Sequence, residues 1–267
     1  MTHHWYDYFA LIPVQRAFFA LCVSSFVFPI VGVWILGLNI VPVRFAMMHV
    51  ALLGIALGMV LGVDPALMGI ISCGIVGVAL APLADKPTGL AGPMGLVMTF
   101  AIAAALLVLS IAGVNANGAF ELLWGSILAM RSQDVWILCG IATTVVLVAI
   151  VHRRDLALLL YDREIARSSG VRVGFLTAIV MCVVALAIGA AVRQTGALLV
   201  DAITILPALA ARNLAQSQRG MIMWAMGIGV IGNLGGFCIT LAINQPPGPV
   251  LVVTVSIITL LTYLKKM

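Results

Sequence analysis

Nine long apolar runs, separated by short polar segments, decide which folds are open to this chain. A helix needs about 20 mostly apolar residues to cross the hydrocarbon core of a bilayer, and most of these runs approach that length. The apolar residues are continuous within each run, whereas a membrane-spanning β-strand would alternate apolar and polar residues. We therefore predict an all-α, polytopic bundle of about nine spans, at 16–36, 44–62, 66–83, 90–112, 135–151, 173–192, 196–211, 221–243 and 250–264.

The composition excludes most soluble classes of protein. Hydrophobic residues make up 63% of the 267 residues and charged residues only 9%, whereas a soluble domain carries roughly 25% charged residues. So few polar residues cannot cover the surface of a soluble globular fold. The composition therefore argues against a cytosolic enzyme, a nucleic-acid-binding protein or a disordered protein. The expected surroundings are a lipid membrane, and no nucleic acid partner is predicted.

The seventh run, at 196–211, is the weakest of the nine. It is short, begins with Gly196, contains Asp201 and is interrupted by Pro207. A proline removes one backbone hydrogen bond and bends a helix. Eight spans plus a re-entrant segment are therefore kept as the alternative to nine spans.

The distribution of basic residues predicts the orientation. With nine alternating spans and the N-terminus outside, eleven of the 14 Lys and Arg residues fall in inner segments and three in outer segments. The positive-inside rule expects this asymmetry. We therefore predict an outer N-terminus and a cytoplasmic C-terminus, and we interpret the basic excess as an orientation signal.

Small residues in two runs indicate close helix packing. Gly54, Gly58 and Gly62 are spaced by four residues in the second run, and Gly232 and Gly236 repeat this spacing in the eighth. Such a stripe lets another helix approach closely, either within the bundle or at a moving or subunit interface. Asn233, which lies between the last two glycines, is interpreted as an interhelical hydrogen-bonding residue.

The longest charged stretch, 152–172, is predicted to form an amphipathic helix on the inner side. Leu156, Leu159 and Leu160 give it an apolar face, while a polar face follows from Asp162, Arg163, Glu164 and Arg167. The pattern alone leaves two interpretations open. The segment is either a docking site for a cytosolic partner or a solvated linker.

Motifs for intrinsic energy supply or hydrolysis are missing from the sequence. No GxxxxGK[ST] loop accompanies any of the three lysines, and neither HExxH nor GxSxG occurs. The ionisable residues of the spans, His49 and Asp201, are costly in a membrane and invite a functional hypothesis. Imidazole and carboxylate suit a divalent first-row metal; the alternative is a hydrogen-bonded buried histidine and a hydrated aspartate near the outer surface.

Four stretches, in order along nearly the whole chain, carry a family resemblance. They are MMHVALLG at 47–54, LLWGSILA at 122–129, YDREIARSSGV at 161–171 and GALLVDAITILPALAA at 196–211. Together they resemble the motifs of the integral-membrane permease subunits of bacterial zinc/manganese ABC importers, the ABC-3 family.

The resemblance implies a single permease domain over residues 1–267 in the bacterial inner membrane, and a set of partners. The permease would work as a pair of identical or related copies, with a cytoplasmic ATPase dimer that carries Mg-ATP and an extracytoplasmic binding protein that delivers the substrate. The permease would have no intrinsic cofactor and would not be an enzyme. In such permeases the cytoplasmic loop, 152–172 here, carries a coupling helix, at 155–170, in which the expected contact residues are Tyr161, Asp162, Glu164, Arg167 and Gly170.

One departure from the family pattern concerns the substrate. Family members carry an aspartate four residues before the second-helix histidine, and this chain has Phe45 there. The resemblance places His49, Phe45, Met48 and Asp201 on the substrate pathway. Either Asp201 replaces the lost carboxylate and completes a His49–Asp201 metal site, or the cargo is a chelate or small organic molecule that packs on Phe45. An ATP-independent channel or carrier and an intramembrane hydrolase are the remaining alternatives.

Overall fold

A computed structural model describes residues 11–85, 90–113 and 127–266 of the chain. Lys86 and most of the motif at 122–129 lie outside these residues. The described residues form twelve α-helices and contain no β-strand. The helices are α1 (Ile12–Gly37), α2 (Pro42–Leu61), α3 (Pro65–Leu80), α4 (Ala91–Ile111), α5 (Ser132–Val151), α6 (Arg153–Tyr161), α7 (Arg163–Ser168), α8 (Val173–Thr195), α9 (Ala197–Ile203), α10 (Ile205–Leu214), α11 (Gln218–Ile243) and α12 (Pro247–Lys266), with short 3-10 helices at Ala81–Asp85 and Ile127–Ala129.

Eight of the described helices are long and apolar enough to cross a membrane. They are α1 to α5, α8, α11 and α12, where α3 continues through the adjoining 3-10 turn to Ala84. Each corresponds to one of the predicted apolar runs. The all-α polytopic class is therefore confirmed, while the direction in which the chain enters the membrane stays a prediction.

The seventh apolar run differs from the continuous span that the sequence predicted. It forms two short helices, α9 and α10, which meet at Thr204. Pro207 is the third residue of α10, where the backbone N–H has no helical partner, so its absence costs nothing. The proline ring would clash with the carbonyl oxygen of Ile203, four residues earlier, if the helix continued through that residue. The break therefore precedes the proline by one turn. The described residues thus contain eight candidate spans, as the alternative expects, and one broken segment, whose re-entrant course stays a prediction.

The chain divides into two compact units. The terminal unit comprises Met1–Val33, Gly125–Thr143 and Gln194–Met267, and so contains most of α1 and all of α9 to α12. The central unit comprises Trp34–Trp124 and Thr144–Arg193, and contains α2, α3, α4, α6, α7 and most of α8.

Glycines bring α2 and α3 together in the central unit. A β-carbon on Gly54 would lie 2.6 Å from the Cα of Gly69 and from the carbonyl oxygen of Met68, and one on Gly58 would lie 2.7 Å from the Cα of Pro65. Both glycines are therefore required by close helix packing, as the spacing predicts. Gly62 has another role, since it ends α2 with a φ of 67° and has open space around its Cα.

Close packing also holds α11 in the terminal unit. A β-carbon on Gly232 would lie 2.9 Å from the Cγ2 of Val255, and one on Gly236 would lie 3.2 Å from the Cα of Leu251. Both contacts are with α12. The predicted small-residue stripe of this run therefore packs against the last span.

Candidate functional site

His49 lies on the least buried face of α2. The helix starts with Pro42 at its first position, so that His49 lies two turns from the N-terminus. Phe45, one turn before it, is 43% exposed, and the side chains of Met48 and His49 are half-buried. Since residues four apart lie on the same helix face, Phe45 and His49 form one surface, which other parts of this chain cover incompletely.

A hydrogen bond fixes the chemistry of the His49 ring. Its Nδ1 lies 2.7 Å from the carbonyl oxygen of Phe45. A carbonyl can only accept, so Nδ1 carries the proton and donates it. The lone pair of the neutral ring then resides on Nε2, which is the arrangement found in metal-binding histidines whose other nitrogen donates to a backbone carbonyl. His49 is therefore suited to act as an Nε2 ligand or hydrogen-bond acceptor.

A positive charge lies beside Phe45, one turn before His49. The guanidinium carbon of Arg44 lies 4.2 Å from the centroid of the Phe45 ring, in a cation–π contact. The face therefore carries an aromatic ring with a cation over it. Among the residues that the structure describes, no cluster of three or more His, Cys, Asp and Glu side chains could hold a metal ion.

Asp201 lies in the terminal unit, on the short helix α9. It is half-buried and sits three residues before the break at Thr204. His49 belongs to the central unit. The pairing of His49 and Asp201 as metal ligands therefore stays a prediction.

Side chains of two spans bind the backbone around this break. The side-chain amide of Asn233, on α11, donates to the carbonyl oxygens of Gly229 at 2.8 Å and of Ala202, in α9, at 3.5 Å. The hydroxyl of Thr259, on α12, donates to the carbonyl oxygen of Leu206 at 3.2 Å. Asn233 therefore links helices, in agreement with its interpretation from sequence. Thr259 was missed, because a single threonine in an apolar run gives no distinct signal.

The charged segment at 152–172 forms two helices rather than the single predicted helix. Asp162 lies between α6 and α7 in an extended conformation, with φ −159° and ψ 129°. Its carboxylate accepts hydrogen bonds from the backbone N–H groups of Glu164 at 2.7 Å and Ile165 at 2.9 Å. Asp162 is thus the N-cap of α7, and its oxygen satisfies donors that the first helical turn leaves free.

Gly170 ends this segment by its backbone conformation. Its φ is 84°, which favours glycine, and its N–H donates to the carbonyl oxygen of Arg167 at 3.1 Å. The N–H of Val171 donates to the carbonyl oxygen of Ala166 at 3.0 Å. This pair of bonds is a Schellman motif, so the role that the structure supports for Gly170 is termination of α7.

Buried contacts fasten α6 and α7 to the central unit. Leu156 and Leu159 are buried, as the predicted apolar face requires, and so is Ala166. The guanidinium of Arg163 donates a hydrogen bond to the carbonyl oxygen of Ala84, near the end of the third span. Leu160 packs directly against Gly37 of α1. A β-carbon at Gly37 would lie only 2.6 Å from the Cδ2 of Leu160, so the contact requires glycine.

The solvent-exposed face of these two helices carries both apolar and charged side chains. Tyr161 is 76% exposed, Ile165 is 45% exposed, and the side chains of Glu164 and Arg167 are exposed between and beside them. We call these four residues the coupling surface. The resemblance names Tyr161, Glu164 and Arg167 as contact residues, and the structure adds exposed Ile165, whose apolar character inside a charged stretch was the available signal. The coupling role of these residues stays a prediction.

Comparison with known proteins identifies relatives along the whole length of the chain. The sequence profile of the ABC 3 transport family matches residues 11–266. The chain is 30% identical over 220 residues to the manganese import system permease protein ScaB of Streptococcus parasanguinis, covering 82% of this chain and 78% of that protein. It is 24% identical to the high-affinity zinc uptake system membrane protein ZnuB of Haemophilus influenzae, covering 82% and 84% of the two chains.

The fold has a counterpart among solved structures. The structure of PsaBC from Streptococcus pneumoniae in complex with Fab superposes with a TM-score of 0.82, covering 98% of this chain and 95% of that chain at 23% sequence identity. At this identity the likeness establishes a common fold.

Proposed function

Because this chain belongs to the ABC 3 transport family, we propose that it is the membrane-spanning permease subunit of an importer that a separate ATPase drives. It is a multi-pass integral protein of the bacterial inner membrane. The observation that carries the proposal is the coupling surface, in which exposed Tyr161 and Ile165 lie on helices that buried contacts fasten to the central unit. Exposed apolar side chains rimmed by charges are typical of a protein interface.

The energy source is a partner subunit. The sequence has no phosphate-binding loop of the GxxxxGK[ST] type, so Mg-ATP binds to a cytoplasmic ATPase dimer. A dimeric ATPase has two equivalent docking sites, and these are filled by two permease copies. An extracytoplasmic binding protein presents the substrate on the other face of the membrane.

The coupling mechanism follows from how α7 is held. When the ATPase dimer closes, it pushes the coupling surface. The hydrogen bond from Arg163 to Ala84 and the buried Leu156 and Leu159 pass this displacement to the central unit. The two permease copies then rock between outward-open and inward-open states, which is alternating access.

The cargo that the chemistry favours is a divalent metal ion of the manganese or zinc kind, or a metal-related substrate. The relatives ScaB and ZnuB are described as manganese and zinc systems, and Nε2 of His49 is a basic nitrogen suited to such ions. Asp201 is the candidate second ligand, and Met48 and Phe45 line the pathway. Phe45 supports the second candidate, a chelate or small organic molecule, because its exposed ring offers an apolar surface on which such a cargo can pack.

Reconstitution of the chain with its ATPase and binding protein in liposomes tests this function. Uptake of ⁵⁴Mn²⁺ or ⁶⁵Zn²⁺ is expected only with all three proteins and ATP. An Ile165→Glu substitution should abolish co-purification of the ATPase, while Ala157→Glu, at an exposed site of α6 outside the coupling surface, should leave it intact. Full uptake by the isolated chain without ATP would instead identify a channel or carrier.

A further inference from the structure

A cavity that the transport function does not use lies beside the coupling surface, in the central unit. Its volume is about 350 Å³, at the lower end of the range for small-molecule sites. Residues of α6, of the loop after α7 and of the start of α8 line it. The polar and charged side chains among them are His152, Arg154, Asp155, Ser169 and Arg172. Gly170, which the resemblance names as a coupling-helix contact, also lines the cavity, whereas Tyr161, Glu164, Ile165 and Arg167 do not.

The cavity carries net positive charge. Arg154 and Arg172 provide two guanidinium groups, against the single carboxylate of Asp155. Asp155 has a separate structural role, since it lies in the first turn of α6, where a negative charge is favoured by the helix dipole. Within the described ranges no ion pair joins either arginine to a carboxylate, so both guanidinium groups are available to a bound anion.

The cavity lies at adjoining ends of two candidate membrane spans. His152 directly follows Val151, the last residue of α5, and Arg172 directly precedes Val173, the first residue of α8. Val151 and Phe175 are 70% and 64% exposed, so these apolar side chains face outward at the same two helix ends. A basic cavity bordered by exposed apolar side chains at the end of a span has the chemistry suited to the headgroup layer of a bilayer.

We propose that this cavity binds the phosphate of an anionic phospholipid, with Arg154 and Arg172 holding the phosphate and Phe175 lying against the acyl chains. This inference goes beyond the transport function and depends only on the membrane location of the two helix ends. The competing explanation is that these basic residues serve only to orient the chain in the membrane, as the positive-inside rule describes. The cavity separates the two roles, because Arg153, next to Arg154, is exposed but does not line it.

Lipid retention by the full chain, purified with its ATPase, tests the proposal. The double variant Arg154→Gln/Arg172→Gln is compared with Arg153→Gln/Arg219→Gln, which removes the same charge from exposed sites outside the cavity. Native mass spectrometry measures bound phosphatidylglycerol and phosphatidylcholine with identical acyl chains. The cavity variant should lose phosphatidylglycerol roughly tenfold relative to the control variant, and phosphatidylcholine retention should be weak in both.

Three results would overturn the proposal. Equal loss of phosphatidylglycerol in both double variants would indicate general attraction to a basic surface. Displacement of the lipid by inorganic phosphate at equal concentration would identify a free anion as the ligand. Unchanged lipid retention with loss of the ATPase from the Arg154→Gln/Arg172→Gln variant would identify the cavity as a protein contact. Arg154→Lys/Arg172→Lys, which keeps both charges, provides a folded reference if the glutamine variant is poorly expressed.

Discussion

The guanidinium of Arg163 donates a hydrogen bond to the carbonyl oxygen of Ala84, 79 residues earlier in the chain. This bond joins the first residue of α7 to the 3-10 turn that extends the third span. A helix of six residues has little stability of its own. Its position therefore depends on such contacts, and the coupling surface can act on the spans only as far as they hold it.

Replacing Arg163 by Met should weaken coupling more than assembly. The variant keeps most of the aliphatic stem but loses the donor to Ala84, and a hydrogen bond from a charged group contributes about 1 kcal/mol at a half-exposed site. Uptake per ATP hydrolysed should fall in proteoliposomes that contain the complete transporter. Arg153→Met, at an exposed position, is the control. Equal coupling ratios for the two variants would contradict this role of Arg163.

Replacing Asp162 by Ala should loosen α7 itself. The substitution removes the oxygen that binds the N–H groups of Glu164 and Ile165, and loss of an N-cap costs about 1 kcal/mol. Hydrogen exchange of residues 163–168 should accelerate, and less ATPase should co-purify. Asp162→Asn, which retains a capping oxygen, should behave as the native chain. If Asn also lost the ATPase, Asp162 would contact the partner directly.

Hydropathy alone predicts the eight long spans, because continuous apolar sequence is a local property that a bilayer selects directly. Close packing at Gly54 and Gly232 could also be predicted, since spacing by four residues places small side chains on one helix face. The break at Thr204 was predicted only in kind. Its position one turn before Pro207 follows from the steric demand of the ring on an earlier carbonyl, which acts at a distance along the helix.

The candidate site could be predicted less completely than the spans. Asp162 was assigned to a polar face, although aspartate before a short helix is also an N-cap signal. The hydrogen bond from Arg163 to Ala84 joins segments that are distant in the sequence, so no local sequence pattern predicts it. The contact of Arg44 with Phe45 depends on the rotamers of two adjacent side chains. These are the features that decide how the coupling helices are held and what charge the pathway presents.

Replacing His49 by Ala should reduce uptake about tenfold or more while the complex still assembles. Loss of a residue that merely orients a metal ligand costs about 10–100-fold, and here the nitrogen ligand itself is lost. Assembly is checked by co-purification of the ATPase. Met59→Leu, which conserves volume at another half-buried position of α2, is the control. Normal uptake by the alanine variant would remove His49 from the pathway.

Replacing Gly54 by Ala should destabilise the central unit. The added carbon would lie 2.6 Å from backbone atoms of α3, which cannot move aside as a flexible side chain could. Overpacking of this kind typically costs about 1–3 kcal/mol, so the melting temperature in detergent should fall. Gly95→Ala is the matched control, because a β-carbon at Gly95 meets nothing within 4 Å. Equal melting temperatures would show that α2 and α3 separate without cost.

Replacing Phe45 by Asp distinguishes the two candidate cargoes. An aspartate one turn before His49 would place a carboxylate and an imidazole on one helix face, where both can bind one metal ion. If a bare divalent ion is the cargo, the variant should bind Mn²⁺ or Zn²⁺ more tightly in calorimetry of the purified complex, and His49→Ala should cancel the gain. If the cargo is a chelate or organic molecule, the same substitution removes the aromatic surface and should lower uptake of that cargo, and a gain in metal affinity should bring no gain in uptake of the bare ion. The double variant Phe45→Asp/His49→Ala separates these results, because only the metal site requires both side chains.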